Sequence, residues 1–335
     1  MSSNKNHHDI ELDADLVHEV LEQLGWRGDA EALVNRINRL SLGIPAEDEF
    51  TALLSWLGRC VLVHKLDGFQ SPPASRMQYK VPDLLAIFEY KGRRIHVLIE
   101  VKVKQARSLK WRPDYYEGLA RYSEQLGIPL LIAWKTLGRW ALFEIGHFKR
   151  PQENYVLSFQ TAFKESLMSI LAGDFAFVPC AGVGLHLHIR KLEVLGETVT
   201  DSGLQQEWMG VIEDVYFTNG NRDRVTKLSP GLWPLLLSCD QVEQVDIKDA
   251  EFVQSFVVEE EEPMQHAHVA FTILTYLKNE HEQTLRWRQL LRAYNLPTEA
   301  PILRKAATDG IKKGFIRYVF DIVPNTRPAF LAVSD

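Results

Sequence analysis

The sequence predicts an α/β protein with an αβββαββ core over residues 45–148, a middle α+β region, and a terminal region of three helices and a β-hairpin. Three observations predict it. Val81 to Lys104 alternates apolar and polar residues with a period of two, the mark of strands. Segments of helical spacing stand on either side of it, separated by short apolar runs. The acidic run Glu259 to Glu262 followed by Pro263 breaks the pattern and marks a linker. The chain of 335 residues therefore divides into 1–150, 151–262 and 263–335.

Residues 1–40 read as a polar leader, holding the loose pair His7-His8, then the helical pattern LVHEVLEQLGW. PAEDEFTALLSWLG, residues 45–58, is a helix with Pro45 in its first turn, acids at its positive end, and Phe50, Leu53, Leu54 and Leu57 as its apolar face. CVLVHKLDG is the first strand, and two more follow between Pro82 and Lys104. A basic link, QARSLKWR, leads to the helix PDYYEGLARYSEQLG, with Tyr115, Leu119, Tyr122 and Leu126 on one stripe and Gly127 as its cap. IPLLIAWK is a continuous apolar strand, and RWALFEIGHF is the last strand of the core.

The segment 81–104 carries the chemistry. In its second strand Ile95, Val97, Ile99, Val101 and Val103 share a buried face, and His96, Leu98, Glu100, Lys102 and Lys104 share the other. Glu100 and Lys102 are then about 6.6 Å apart along the strand. A two-residue turn at Lys91-Gly92 sets Asp83 opposite Glu100, and a four-residue loop sets Asp83 opposite Lys102. Either register gathers Asp83, Glu100 and Lys102 on one face. Two carboxylates repel and resist desolvation, and a divalent cation resolves the conflict. Mg²⁺, or Mn²⁺ in its place, takes oxygen ligands of this kind together with water and phosphate. Such an ion activates water and neutralises a phosphate under attack.

These residues resemble the PD-(D/E)XK nuclease superfamily: Pro82-Asp83, then Glu100-Val101-Lys102 across a hairpin. The resemblance implies a restriction-endonuclease-like fold over residues 45–148, with Asp83 and Glu100 as metal ligands and Lys102 as the catalytic lysine. Within the superfamily the pattern is closest to archaeal Holliday junction resolvases and related restriction-enzyme-like proteins, whose first helix gives the metal a glutamate. Aligning the apolar positions of that helix puts Glu47 there, with Glu49 the alternative. Gln125 and Tyr122 stand in the wrong order for the Q-x-x-x-Y of the RecB-like branch, which leaves the substrate open.

Net charge is −6, yet residues 75–121 hold eleven Lys and Arg against five Asp and Glu, and residues 263–335 hold ten against six. Two basic regions on an acidic body suit local contact with phosphates. Lys104, Arg107, Lys110, Arg112 and Arg121 flank the motif as candidate phosphate contacts. Trp111, Tyr115 and Tyr116 are either base-stacking residues or core. Cys60, Cys180 and Cys239 are isolated, which with the lack of an apolar leader or spanning run reads as cytosolic, with no membrane association.

The middle region offers a helix from Tyr155, strands through Phe175 to Gly196, and a helix or strand through Glu207 to Phe217. His186 and His188 share a strand face, which a polar surface explains better than a metal pair. The last region resembles a winged helix: HVAFTILTYLKN, LRWRQLLRAY and APILRKAATDGIKKG as helices, then FIRYVFDIV and PAFLAV as a hairpin. The resemblance makes Arg304, Lys305, Lys312, Lys313 and Arg327 nucleic-acid contacts.

The expected function is metal-dependent hydrolysis of DNA phosphodiester bonds in repair, restriction or defence against foreign DNA, the winged helix positioning the substrate. The alternatives are a non-catalytic DNA-binding or assembly protein on a nuclease fold, and an RNA-directed nuclease. Cutting both strands of a duplex calls for two active sites, hence a homodimer. The chain lacks a Gly-rich Walker loop, so any nucleotide-driven motor is a partner protein encoded elsewhere.

Overall fold

The computed structural model describes residues 46–332 except 67–69, 71, 201–202, 249, 261–265 and 281–298. The leader, His7-His8, the LVHEVLEQLGW helix and the LRWRQLLRAY helix lie outside the described residues.

The first helix, α1, runs over residues 46–57. A five-stranded sheet follows, built from β1 (Cys60–Lys65), β2 (Leu84–Tyr90), β3 (Arg93–Val103), β5 (Leu130–Thr136) and β6 (Arg139–Glu144), in the order β1-β2-β3-β5-β6. Only β3 and β5 are parallel, joined through helix α2 (Pro113–Leu126). A parallel pair needs such a crossover, because a tight turn cannot reverse the chain twice. Pro113 opens α2, and Gly127, at φ +65°, closes it in the left-handed region. The expected αβββαββ order is present.

β3 is the central strand of this sheet. Its polar face is covered as well as its apolar one. On one side Val97, Ile99 and Val101 pack with Phe50, Leu53 and Leu54 of α1. On the other Leu98 packs with Ile132, Trp134, Phe143 and Leu119 of α2. Glu100, two residues from Leu98, faces this second core and is 2% exposed. The cover is partial: 30% of the Lys102 side chain remains exposed, and His96 and Lys104 are exposed.

The stretch written as a basic link contains a strand, β4 (Ser108–Trp111), paired antiparallel with β7 (Tyr155–Ser158). The helix expected from Tyr155 therefore starts later, at Phe159, where the Ser158 hydroxyl accepts a hydrogen bond from the Thr161 amide at 3.2 Å.

The middle region forms a second sheet in the order β11-β10-β9-β13-β12, with the two-residue β11 at Arg224–Val225. Its long strands β9 (Gly184–Thr200) and β10 (Gly203–Thr218) settle the segment left as helix or strand. β13 (Glu251–Val257) pairs with β9, and β12 (Val242–Ile247) with β13. Ile247, Phe252, Ile189 and Ile212 line up across four strands, and Ile247 remains 68% exposed. On the other face His186 lies between Ser255 and Thr218, at 2.8 and 2.9 Å, and His188 bonds Glu251 at 3.0 Å.

The winged-helix hairpin is not formed among the described residues. Helices α3 (Val269–Glu280) and α4 (Glu299–Lys312) are present. The strand after them, β15 (Ile316–Phe320), pairs with β8 (Ala176–Pro179), whose other edge takes β14 (Ala267–His268). Ala329–Leu331 is a 3-10 turn. β8 is buried throughout, so its backbone needs partners on both edges, and β15 is one of them. The tail is tied elsewhere: Arg327 donates to Tyr90 Oη at 2.8 Å, and Arg93 donates to the Ala332 carbonyl at 3.0 Å. These hydrogen bonds cross the divisions drawn at 150 and 262 from composition.

Candidate active site

The β2–β3 turn decides the register. Lys91 and Gly92 have φ of 49° and 74°, a two-residue turn with both central residues left-handed. Its twist matches that of the strands it joins. Tyr90 pairs with Arg93 and Leu84 with Ile99, so the next step outward sets Asp83 against Glu100, the first of the two registers weighed. Asp83 Oδ2 accepts a hydrogen bond from the Val101 amide at 2.7 Å.

Lys102 folds back on its own strand. Its ammonium donates to Glu100 Oε1 and to the Val101 carbonyl, the latter at 3.1 Å. Tyr115, in the first turn of α2, donates its hydroxyl to the same Glu100 oxygen. Its ring centroid lies 5.5 Å from the Lys102 ammonium, within cation–π range. Trp111 packs edge-on against the Tyr115 ring at 5.2 Å and stacks on Phe148 at 4.6 Å. Trp111 is therefore core, and the half-buried Tyr116 packs against it with its ring stacked on Tyr155 at 3.6 Å. Sequence reasoning gave Tyr115 a stripe position and missed its bond to Glu100. Its place two residues after the helix-opening Pro113, facing the motif strand, was the available signal.

Burial pushes the Glu100 carboxyl up to about 7, with the Lys102 charge opposing and the Asp83 charge adding to the rise. Desolvation works against the Lys102 ammonium, but the charges of Glu100, Tyr115 and Asp83 outweigh it and keep its pKa above the ordinary value. Burial and the Glu100 charge raise the Tyr115 phenol, so it stays a donor. Glu47 is raised by burial and then by Asp83, with Lys65 opposing, so α1 brings Glu47 within the field of Asp83. Lys65 also pairs with Glu47 at 3.1 Å and with Asp48. Glu49 points elsewhere: it pairs with Lys135 and accepts from Trp140 Nε1 at 2.9 Å.

The donor set suits a hard divalent cation. Asp83, Glu100 and the Val101 carbonyl offer oxygen only, and the Lys102 ammonium already takes two of those oxygens as a cation would. Among the described residues no three His, Cys, Asp or Glu side chains close into a metal cage. Mg²⁺ does not require one, since it takes one or two carboxylates and keeps several waters.

Lys104, Arg107, Lys110, Arg112 and Arg121 are exposed around this site. Arg121 is partly engaged, donating to the Gln78 carbonyl at 2.9 Å. Lys305, Lys312 and Lys313 are exposed on and beyond α4. Arg304 pairs with Asp321 and lies 4.5 Å over the Phe175 ring, and Arg327 is held by Tyr90, so neither guanidinium faces outward unengaged. No helix of the described residues is long and apolar enough to cross a membrane.

Comparison with known proteins places one stretch of the chain. A search of curated proteins gives no match. Among solved structures, Archaeoglobus fulgidus Hjc, a Holliday junction resolvase from an archaeal hyperthermophile, is 21% identical over 36% of this chain and 86% of its own, with a TM-score of 0.29. At that score it adds nothing to the fold described above. The family model for the archaeal Holliday junction resolvase (hjc) matches residues 70–173, which include Asp83, Glu100, Lys102 and Tyr115 and stop short of α1 at the other end. The likeness to PD-(D/E)XK nucleases carried by Pro82-Asp83 and Glu100-Val101-Lys102 thus holds over residues 70–173, and the branch of that superfamily they match is the archaeal Holliday junction resolvase family.

Proposed function

We propose that this protein is a divalent-metal-dependent endonuclease that hydrolyses phosphodiester bonds in DNA, with branched DNA such as a four-way junction as its substrate class. The convergence of Asp83, Glu100 and Lys102 at the centre of the sheet carries this reading. A buried carboxylate, Glu100, in the field of a half-buried one, Asp83, costs stability and gives a passive binding module nothing in return. The family match over residues 70–173 supports the choice of reaction and of branched DNA. The stacking of Trp111 on Phe148 and of Tyr116 on Tyr155 engages two rings that RNA recognition by stacking would use.

Asp83, Glu100 and the Val101 carbonyl would hold the metal, with Glu47 reaching it from α1. Bound there, Mg²⁺ or Mn²⁺ would lower the pKa of water and neutralise charge on the phosphate. Lys102 supplies a positive charge beside the cleaved bond and orients the attacking water. The Val101 amide fixes the Asp83 carboxylate, and Tyr115 and Lys102 fix that of Glu100. Lys104, Arg107, Lys110 and Arg112 hold the flanking phosphates, and Lys305, Lys312 and Lys313 extend the contact along a second arm in the role first given to a winged helix. A two-fold substrate is cut on both strands by a dimer.

The test is cleavage of duplex, single-stranded, nicked and four-way-junction DNA and of single-stranded RNA, with Mg²⁺ and with chelator, by the wild type and Lys102→Ala. Metal-dependent cutting of junctions, reduced by roughly two or more orders of magnitude in Lys102→Ala, is the expected result. Cutting that survives the substitution would place the chemistry elsewhere.

A further inference from the structure

A cavity of about 400 Å³ lies between β6, β8 and α3, where the core sheet meets the later part of the chain. Its volume falls within the range of small-molecule sites. Trp140 in its wall belongs to the core on the α1 side of the sheet, and Glu100 faces the opposite side. The cavity is thus separate from the proposed nuclease centre, and the inference does not depend on that reading.

The lining has two parts. Trp140, Phe163, Phe175 and Phe271 form an aromatic wall. Arg139, Lys164, His266 and His268 bring basic groups to the same space. Among the described residues the lining holds one carboxylate, Asp174, and it is already engaged: one oxygen accepts from the Ala270 amide at 2.9 Å, and the other lies 3.0 Å from His268 Nδ1. Among the described residues no carboxylate pairs with Arg139 or Lys164. The His266 and His268 rings are 5.4 Å apart. Burial, with the charges of His268 and Arg139, pulls His266 below its ordinary pKa. Asp174 is committed to His268 and the Ala270 amide, which leaves Arg139 and Lys164 with no carboxylate partner among the described residues. An aromatic wall beside a guanidinium and an ammonium with no carboxylate partner among the described residues is complementary to an apolar body carrying an anion.

We propose that this cavity binds a small organic anion, its aromatic or aliphatic body against Trp140, Phe175 and Phe271 and its carboxylate, sulfonate or phosphate ester at Arg139 and His266. The probe is anilinonaphthalene sulfonate, an aromatic body with one anionic group, titrated by fluorescence into the full-length protein. Uncharged phenylnaphthylamine serves as the control for apolar binding alone. One saturable site is expected, with the sulfonate binding more tightly than the uncharged dye. Arg139→Ala, at an exposed position, should weaken the sulfonate by about tenfold and leave the uncharged dye unchanged. Ala270→Trp, which fills the space, should abolish both. Ile247→Lys on the open sheet should change neither. Equal binding of the two dyes to the wild type, sulfonate binding that survives Arg139→Ala undiminished, or sulfonate binding that disappears in Ile247→Lys would each overturn the proposal. If Ala270→Trp does not fold, the Arg139→Ala comparison decides alone.

Discussion

Tyr115 and Lys102 donate to the same carboxylate oxygen of Glu100, one from α2 and the other from Glu100's own strand. A carboxylate 2% exposed is held in place from two elements at once. Tyr115→Phe removes one of those bonds and leaves the ring packing against Trp111 intact. A hydrogen bond to a buried charge is worth about 1–3 kcal/mol, so single-turnover cleavage should fall roughly ten- to hundredfold, between the wild type and Lys102→Ala. Full activity in Tyr115→Phe would make the bond incidental.

The turn that fixes the site's register should tolerate substitution at a cost in stability alone. Gly92 has φ +74°, and a Cβ there would meet nothing within 4 Å. Gly92→Ala should therefore destabilise by about 1–2 kcal/mol through backbone conformation, read as a lower urea midpoint. Cleavage at low temperature should stay close to wild type, because the cross-strand ladder still pairs Tyr90 with Arg93. Lost cleavage in a folded Gly92→Ala would mean that the register had slipped.

The basic residues of the later region should separate into two behaviours. Arg304 is spent on Asp321 and Phe175, so Arg304→Ala should cost about 1 kcal/mol of stability and leave DNA affinity unchanged. Lys305→Ala and Lys312→Ala should leave stability unchanged, and each should reduce the salt dependence of DNA binding by about one unit in a log–log plot. Fluorescence anisotropy over a salt series distinguishes them. The opposite pattern would assign the contacts wrongly.

His186 ties the second sheet to pH. Burial lowers its pKa from 6.5. The unfolded chain therefore takes up a proton at a higher pH than the folded one, so the contribution is fully present above 6.5 and is lost as pH falls below it. Urea unfolding should show the wild type losing more stability between pH 7 and pH 5 than His186→Gln. Equal losses would show that the Ser255 and Thr218 contacts do not depend on the neutral ring.

Much of the core could be read from local pattern. The alternation of β3, the apolar run of β5 and the Pro113-to-Gly127 frame of α2 each state their element within a few residues, and PD plus EVK states the site. The partners of the short strands were not legible. SLKW reads as a link until YVLS is beside it, and AFVP has no alternation to show that both its edges are filled. Arg304 and Arg327 looked like free basic groups because Asp321, Phe175 and Tyr90, which engage them, are remote from them or unmarked in sequence. Period two revealed the two faces of β3 without saying how far each is covered, so the burial of Glu100 had to come from the structure.

β8 takes both of its neighbours from later in the chain, β14 at Ala267–His268 and β15 at Ile316–Phe320. As the polypeptide leaves the ribosome, the core sheet can close once residue 144 has emerged, while Ala176–Pro179 must wait with open edges until residue 320 is made. Long-range pairings of this kind form slowly, and an unpaired apolar strand invites association with other chains in the interval. Assembly should therefore be biphasic, with the five-stranded sheet early and the closing of β8 late. Slowing synthesis after residue 179 would then lower the soluble yield more than slowing it before residue 144.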